Sequence, residues 1–277
     1  MAGVKDSQAL YNSAMQSLQA GDQEAALALF TRAVPETGDF VDAHLAWAKV
    51  VMPGPDYLEI LKFLHDFLQP RNYVEIGVEF GTTLKLVSPQ TIALGIDPAP
   101  QIEGRLHDNT SVYQQTSDDF FRNRDLDFLL GGSFAFAFVD GLHLFEQVLR
   151  DFINLEKYSS SDSLVVIHDC LPLDRRTASR TRTTQFWSGD VWKMVPCLKN
   201  ERPDLNIATI PAYPTGLCLI RGLDSGSRLL EENYTAMVER YSRLEYDAIK
   251  DKADYFSLII NDWPSIKNFL ADKKSDV

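Results

Sequence analysis

The sequence has few cysteines, little positive charge and no long hydrophobic run, and each shortage excludes a class of protein. Its three cysteines, Cys170, Cys197 and Cys218, lie far apart without a C-x-x-C pair. Neither a disulfide framework nor a structural zinc site is therefore expected. Lys and Arg total 27 against 39 Asp and Glu, which gives a net charge of −12. Because so acidic a chain binds polyanions poorly, we expect no nucleic-acid partner and no membrane association.

No apolar run approaches the roughly 20 residues that are needed to cross a bilayer. The first residues also lack the basic and apolar stretches of a secretory signal, so we expect a cytoplasmic protein. The 277 residues, 45% of them hydrophobic, are enough for one large domain with additions. From the patterns along the chain we predict three parts, residues 1–55, 56–224 and 225–277.

In the first part, small and apolar residues recur at spacings of three and four on both sides of Gly21-Asp22. This pattern predicts two helices joined by a tight turn. The spacing of Ala14, Gly21, Ala26 and Phe30 resembles one tetratricopeptide repeat, whose helices could bind a protein partner or a second copy of the chain. Because a solenoid needs about three repeats, we favour an amphipathic hairpin packed on the main domain. The last part is predicted to be helical, with an interruption at Trp263-Pro264.

Short, almost purely apolar segments alternate with helix-like patterns in the middle part, which is typical of strands buried on both faces of a sheet. The predicted strands are Tyr73–Ile76, Ile92–Ile96, Ser111–Gln114, Phe134–Val139, Leu164–Ile167, Asn206–Ile210 and Leu217–Ile220. Helices are predicted at Tyr57–Phe67 and Leu144–Leu155. The alternation predicts an α/β fold, a Rossmann-like, doubly wound and mostly parallel sheet of seven strands. The last two strands, joined by a short Pro/Gly segment, are expected to form an antiparallel hairpin at its edge.

The strongest functional signal is Tyr73-Val-Glu-Ile-Gly-Val-Glu-Phe-Gly81-Thr-Thr, in which a buried strand ends at Gly77. Gly81 is expected to open a helix. A glycine lets the backbone approach a ligand, and the amides of the turn and helix start can face a carboxylate or phosphate. The next strand ends at Asp97, whose carboxylate can accept both hydroxyls of a ribose. Together these features predict a nucleoside-like ligand at the carboxyl ends of the strands.

This glycine pattern differs from the dinucleotide fingerprint G-x-G-x-x-G. Carboxylates at Glu75 and Glu79 would repel a pyrophosphate but suit a ligand that carries an amino group. The segment resembles motif I of the class I S-adenosylmethionine-dependent methyltransferases. The resemblance implies that Glu75 lies near the methionine amine and that Asp97 holds the ribose. It implies further cofactor contacts from Gly77, Gly81 and Thr82, and an adenine contact from Ser117 or Asp118. Ser117 or Asp118 could instead be a helix N-cap.

The second informative segment, Phe136-Ala-Phe-Val-Asp140-Gly-Leu-His143-Leu-Phe-Glu146, again follows a buried strand. The next strand ends in His168-Asp169. Because the carboxyl ends of parallel strands share one edge, Asp140, His143, His168 and Asp169 are predicted to converge. The sequence D-G-x-H-x-[FY]-E resembles a branch of the class I methyltransferases that includes the sugar O-methyltransferases of macrolide and aminocoumarin biosynthesis. That resemblance implies that the four side chains lie near the transferred methyl group.

Two chemistries could use this cluster. In one, His143 or His168 is a general base that takes the proton of a hydroxyl. In the other, Asp140 and Asp169 hold Mg²⁺, which acidifies neighbouring hydroxyls. The metal-dependent relatives carry a second Asp or Asn directly after the fifth-strand acid, whereas this chain has Cys170, a poor Mg²⁺ ligand. His168 could also have a structural role alone.

Four arginines, Arg175, Arg176, Arg180 and Arg182, lie in one polar loop shortly before Trp187. Guanidinium groups bind carboxylates and phosphates, so the loop is a candidate lid for an anionic or sugar-like substrate. A solvated loop that offsets the acidic body is the alternative.

We therefore expect a methyltransferase that uses S-adenosylmethionine to methylate a hydroxyl of a small molecule. A nicotinamide-dependent oxidoreductase is the first alternative, and the missing G-x-G-x-x-G counts against it. The second is a non-catalytic helical-repeat scaffold with a degenerate methyltransferase domain. The main interpretation requires an open crevice at the tip of the first strand, with Glu75 facing it.

Overall fold

The computed structural model describes residues 2–34 and 41–272, which form helices on both faces of one sheet. The helices are α1 (Ala2–Gln19), α2 (Gln23–Ala33), α3 (Val41–Val51), α4 (Tyr57–Leu68), α5 (Ser117–Asn123), α6 (Leu126–Leu130), α7 (Phe145–Glu156), α8 (Met194–Glu201), α9 (Leu229–Glu232), α10 (Tyr234–Tyr241), α11 (Lys252–Tyr255) and α12 (Trp263–Ala271). The strands are β1 (Asn72–Ile76), β2 (Ile92–Asp97), β3 (Thr110–Gln114), β4 (Phe136–Val139), β5 (Leu164–His168), β6 (Asn206–Ile210) and β7 (Leu217–Arg221).

The seven strands form one sheet in the order β3-β2-β1-β4-β5-β7-β6. Strands β1 to β5 are parallel, and β7 runs antiparallel between β5 and β6. Every residue of β1, β4 and β5 is buried, because helices cover both faces of the sheet. The chain reverses its direction of winding between β1 and β4, which leaves a crevice at their carboxyl ends. The predicted doubly wound fold is confirmed.

The predicted strands agree with the observed ones to within two residues at each end, and Asn206–Ile210 has the predicted bounds. Helix α4 begins where its sequence signal lies, since Asp56 and Glu59 form a reciprocal capping box there. Helix α7 also lies within one residue of its predicted bounds.

Two predictions about helix positions were wrong. Gly81 opens no α-helix, because residues 77–91 form a turn followed only by the 3-10 helix Leu84–Leu86. So short a connection, which ends near Pro89, leaves little room for an α-helix between two strands. Trp263-Pro264 does not interrupt a helix but begins α12. Proline is favoured in a first helical turn, and the side chain of Asp262 caps the helix by accepting from the Ser265 N–H at 2.8 Å.

The N-terminal helices form the predicted hairpin, in which Gly21 has a φ of +80° and Asp22 caps α2. Ala14, Ala26 and Phe30 make a small core of their own. Helix α3 adds Ala48 to the main core, which joins this region to the sheet. The likeness to a tetratricopeptide repeat stays a prediction, as does the division into three parts.

The C-terminal segment also packs against the sheet. Leu258 forms a parallel bridge with Thr209 of the edge strand β6. The side-chain amide of Asn261 donates to the carbonyls of Pro53, Pro55 and Pro211 at 2.9–3.3 Å, which ties this segment to the connection before α4. Among the described helices, none combines the length and the apolar character that a membrane span requires.

Candidate active site

A cavity of about 810 Å³ opens at the carboxyl ends of β1, β2, β4 and β5. Its volume lies in the usual range for small-molecule sites, and its place at the reversal of winding is where open α/β sheets bind ligands. The Gly77 turn and Asp97 line one side, and Asp140, His143, His168 and Asp169 line another. The open crevice that the sequence interpretation requires is therefore present, but its second requirement, that Glu75 face the crevice, is not met.

Gly77 holds the ends of three strands together. Its φ of +87° is in the left-handed region, and a Cβ there would lie 2.0 Å from the carbonyl oxygen of Asp140. The Gly77 N–H donates to Ile96 O at 2.9 Å, and the Asp140 N–H donates to Ile76 O at 2.8 Å. Only glycine fits here, because any side chain would collide with the end of β4. The sequence argument gave glycine a ligand-facing role, whereas the structure adds this packing role.

Asp97 lines the cavity, but most of its hydrogen-bonding capacity is already used. One oxygen, Oδ2, accepts from the N–H groups of Val78 and Glu79 at 2.8 and 2.9 Å. The other, Oδ1, accepts from the Ala99 N–H at 2.7 Å. A carboxylate offers about four acceptor sites, so about one remains. Asp97 therefore fixes the glycine turn, and its contact with a ribose stays a prediction.

Glu75 does not face the cavity, which corrects its predicted direct contact with a cofactor amine. The carboxyl group is fully buried and accepts from the hydroxyls of Tyr73 at 2.7 Å and Thr83 at 2.8 Å. Burial raises the pKa of Glu75 to about 8, which the two hydroxyl donors oppose. Thr83 itself lines the cavity, so Glu75 lies one side chain behind its wall. Of the other predicted cofactor residues, Thr82 lines the cavity and Gly81 supports the turn behind it.

Ser117 and Asp118 line the part of the cavity beside β3, as the resemblance implied. Neither residue is the helix cap, because Thr116 takes that place and accepts from the Asp119 N–H at 3.1 Å. Ser117 donates to the buried Asp151 at 2.6 Å, and Asp118 pairs with Arg150 at 3.3 Å. Burial raises the pKa of Asp151 to about 6. Their contact with an adenine ring stays a prediction.

The two histidines and two aspartates predicted to converge lie within contact distance of one another. His143 Nδ1 is 3.0 Å from Asp169 Oδ2, and His143 Nε2 is 3.6 Å from Asp140 Oδ1. His168 Nδ1 lies 3.2 Å from Asp140 Oδ1 and 3.7 Å from Asp169 Oδ1. Asp169 adopts a left-handed backbone conformation with φ of +61°, a strained state that is common at functional sites.

The neighbours of His143 decide which of its nitrogens carries hydrogen. Nδ1 faces Trp187 O at 3.2 Å and Asp169 Oδ2, and both oxygens can only accept. Nδ1 therefore carries the hydrogen, and Nε2 has the free lone pair when the ring is neutral. His168 has less freedom, because Nε2 meets the Thr215 hydroxyl at 3.3 Å and Tyr57 stacks on its ring at 4.6 Å.

Electrostatics favour the charged form of both imidazoles. Burial lowers the pKa of His143, but Asp169 and Asp140 outweigh burial and raise it well above 6.5. The pKa of His168 is raised in the same way, with Asp140 as the main opposing charge. The two carboxylates thus favour the protonated form of both imidazoles.

A divalent cation would also fit these residues. One ligand atom each of Asp140, His143 and Asp169 lies within 4.8 Å of the others. Asp169 Oδ2 is buried and has no hydrogen bond among the described residues, because the His143 N–H at 3.0 Å points toward Trp187 O instead. The thiol of Cys170 is turned away toward the carbonyls of Ile167 and His168. One imidazole with two carboxylates suits a transition metal better than Mg²⁺.

Of the predicted substrate residues, only Arg182 and Trp187 line the cavity. The Arg182 guanidinium lies over the Trp187 ring, 5.8 Å from its centre. The other arginines are paired with carboxylates outside the cavity lining: Arg175 with Asp247, Arg176 with Asp174, and Arg180 with Glu146 and Asp190. Direct substrate contact by these three is therefore corrected, since neighbouring acids already occupy them.

The cavity also contains side chains that the sequence analysis missed, namely Tyr57, Gln147, Asp151, Phe186 and Thr215. Gln147 and Asp151 could have been found, because they lie four residues apart on one face of α7, the helix that directly follows the D-G-x-H segment. Tyr57 carried no comparable signal, since only the tertiary fold brings the start of α4 beside the end of β5.

Residues 74–170 match the family model described as a methyltransferase domain. The matched part runs from β1 to the end of β5 and includes Gly77, Asp97, Asp140 and Asp169. This part of the chain therefore resembles a methyltransferase domain, which agrees with the prediction from the two motifs. Among curated proteins, no sequence match reaches significance.

Several solved structures have the same type of fold at low sequence identity. The cofactor-bound protein Rv0187 from MTB is 16% identical over 66% of this chain and 89% of its own, with a TM-score of 0.47. The O-methyltransferase TomG from Streptomyces achromogenes, in complex with SAM, is 16% identical over 59% and 78%, with a TM-score of 0.42. The SAH-bound methyltransferase PaMTH1 from Podospora anserina is 13% identical over 74% and 96%, with a TM-score of 0.47.

Proposed function

We propose that this methyltransferase domain transfers a methyl group from S-adenosylmethionine to a hydroxyl oxygen of a small molecule. The observation that carries the proposal is the shared cavity. The turn at Gly77 and the carboxylate of Asp97 lie on one side of it, and the cluster around His143 lies on the other. A nucleoside bound at the turn would thus place its reactive end near side chains that can accept a proton.

The charges of the cavity favour a cationic cofactor over a pyrophosphate. Glu79, Asp97 and Asp118 line it. Acidic side chains around the binding turn attract a sulfonium and an ammonium group, whereas they repel the phosphates of NAD. We propose that Glu75 supports the amine site without its charge, by fixing the Thr83 hydroxyl that lines the cavity.

When bound, S-adenosylmethionine supplies a methyl group whose bond to the positively charged sulfur breaks, leaving the electron pair on sulfur as the new O–C bond forms. The acceptor hydroxyl must lose its proton during this step. His143 Nε2 can take that proton when the ring is neutral, because Trp187 O holds the other nitrogen in its protonated form. Most of the rate would come from holding the acceptor in line with the methyl group.

The acceptor side of the cavity suits a small ring-shaped or anionic molecule. Tyr57, Phe186 and Trp187 offer flat apolar surfaces, and Arg182 offers a cation. Aromatic faces stack on sugar or planar rings, and a guanidinium pairs with a carboxylate or phosphate. We therefore propose a sugar-like or anionic substrate.

The unbonded Asp169 Oδ2 favours a second arrangement, in which Asp140, His143 and Asp169 hold a divalent cation. A cation there would lower the pKa of the acceptor hydroxyl and displace the protons of the imidazoles. His143 would then be a ligand and not the base.

The test is transfer of an isotopically labelled methyl group from S-adenosylmethionine to a pool of small polar metabolites, with and without EDTA. Labelled product supports the proposal, and its mass identifies the acceptor. Loss of labelling with EDTA and in Asp169→Asn, together with metal found in the purified protein, selects the cation arrangement. Labelling that is indifferent to EDTA removes it. No labelled product from a protein that binds the cofactor would count against methylation of a hydroxyl in that pool.

Two further proposals concern the whole chain. We propose a cytoplasmic location, since Cys170, Cys197 and Cys218 are free and buried, as in proteins of reducing compartments. We also propose that residues 1–55 and 225–277 are additions to the catalytic part, residues 56–224, and that the N-terminal helices offer the surface for any protein partner.

A further inference from the structure

We infer that Arg180 is a positioning residue, which fixes the ring of His143 by tying the loop segment 177–190 to the start of α7. We call this segment the strap. The inference rests on the proposed function, because it gives the strap a purpose in catalysis. It also replaces the substrate-binding role that the sequence suggested for Arg180.

The strap touches His143 through both side chain and backbone. The Trp187 ring stacks on the imidazole, with ring centres 5.4 Å apart and planes 21° apart. Trp187 O accepts from Nδ1 at 3.2 Å, and the Asp190 N–H donates to His143 O at 3.3 Å. A Cβ on Gly189 would lie 1.9 Å from that same carbonyl oxygen, so the backbone of the strap is in direct contact with the backbone of His143. The position of the ring therefore follows the position of the strap.

Bonds within the strap make it a compact unit. The indole N–H of Trp187 donates to Ser179 O at 2.6 Å. The Ser188 hydroxyl donates to Thr177 O at 2.9 Å, and the Ser188 backbone N–H donates to the same oxygen at 3.1 Å. These bonds fix the position of Trp187 within the strap, but they do not attach the strap to the rest of the protein.

Two charged side chains link the strap to α7, Arg180 through Glu146 and Asp190 through the Phe145 N–H. The Arg180 guanidinium contacts both carboxylate oxygens of Glu146, with NH1 2.6 Å from Oε2. NH1 also lies 3.5 Å from Asp190 Oδ2. Asp190 is fully buried and receives a second cation, Lys193, at 3.2 Å, and the Phe145 N–H at 2.8 Å. Without Arg180, Glu146 would lose its partner and the strap would lose its link to the second residue of α7.

The consequence for catalysis concerns geometry. If the strap moves, His143 loses one of the two acceptors that face Nδ1, Trp187 O, and also the ring that stacks on it, so that only Asp169 Oδ2 still orients the imidazole. The lone pair on Nε2 is then no longer aimed at one place. A general base that is displaced by about 1 Å can lose up to 100-fold in rate, whereas cofactor binding at the Gly77 turn would be unaffected.

The test compares Arg180→Met with Arg240→Met. Arg240 is the control, because it joins α10 to α8 through an acid, Glu201, at 2.7 Å, and this ion pair involves no residue of the strap. For Arg180→Met we expect kcat to fall about tenfold or more, with little change in the dissociation constant of S-adenosylhomocysteine. We expect Arg180→Lys to recover part of kcat, since lysine keeps the positive charge but lacks the planar guanidinium group that contacts both oxygens of Glu146. The control should leave kcat unchanged.

A spectroscopic readout separates this inference from the proposed function. Long-range ¹H–¹⁵N NMR of the imidazoles should show a protonated Nδ1 on His143, with the same ¹⁵N shifts, in the unaltered protein and in Arg240→Met. It should show an altered ¹⁵N shift pattern for His143 in Arg180→Met. Unchanged His143 shifts in Arg180→Met would overturn the inference, whether or not methyl transfer is detected. Failure of the unaltered protein to methylate any acceptor would count against the proposed function alone.

Discussion

Replacing Glu75 by glutamine tests whether this buried carboxyl group is neutral in the folded protein. Glu75 is fully buried beside the cavity and is bonded to the hydroxyls of Tyr73 and Thr83. Burial raises its pKa from 4.5 to about 8. Glutamine has nearly the same shape and carries no charge, so Glu75→Gln removes the titration with little change in packing.

The size and sign of the effect follow from proton linkage. In the unfolded chain Glu75 loses its proton above about pH 4.5, whereas in the folded protein it keeps the proton up to about pH 8. Between these values the folded state binds more protons, so its stability falls as the pH rises, by about 1.4 kcal/mol per pH unit. At pH 7 the raised pKa of Glu75 therefore costs the folded protein about 3 kcal/mol of stability, which Glu75→Gln would recover. Burying the glutamine amide costs about 1 kcal/mol, which is subtracted from this gain.

Urea unfolding from about pH 5 to pH 8 measures this difference. We expect Glu75→Gln to be close to the unaltered protein near pH 5 and more stable by about 2 kcal/mol near pH 7. Glu103→Gln is the control, because Glu103 is exposed and its replacement should leave the pH dependence unchanged. Stability curves that run parallel for Glu75→Gln and the unaltered protein would refute the reasoning.

Two further predictions concern the glycine turn and the base. Gly77→Ala should lower the free energy of unfolding by about 3 kcal/mol or more in urea titrations, because its Cβ would collide with the end of β4. Gly104→Ala is the control: Gly104 also has a positive φ but lies in open space, so this change should cost about 1 kcal/mol. Equal costs for the two variants would contradict the steric argument. In EDTA-treated enzyme, kcat/KM should go on rising as the pH increases above the ordinary imidazole pKa of 6.5, because Asp169 and Asp140 outweigh burial and raise the pKa of His143, and the base must lose its proton. A kcat/KM that rises at no pH at which the enzyme stays folded would exclude His143 as the base.

The sheet could be predicted from the sequence because its signals are local. Apolar segments such as Leu164–His168 lie between polar turns, and their length and composition alone indicate buried strands. His143 and the other three residues of its cluster could also be brought together, since the ends of parallel strands share one edge. Neither inference needed the direction of any single side chain.

What could not be predicted depended on side-chain direction and on pairing. Glu75 lies on a strand that is buried on both faces, so periodicity does not tell which face its carboxyl group occupies. Arg175 and Arg180 looked alike in sequence. Their carboxylate partners, Asp247 and Glu146, are 72 and 34 residues away along the chain, and only folding brings each pair together. Tyr57 reaches the cavity from a helix that precedes the first strand, and no local pattern indicates that contact.

Calorimetric titration with S-adenosylhomocysteine, S-adenosylmethionine and NAD tests the central claim most directly. We expect the two sulfur nucleosides to bind with one-to-one stoichiometry, NAD to give no binding heat, and Asp97→Ala to weaken binding by about tenfold through loss of the ribose contact and of the turn that it fixes. Binding of NAD, or binding of none of the three by the folded protein, would contradict the account.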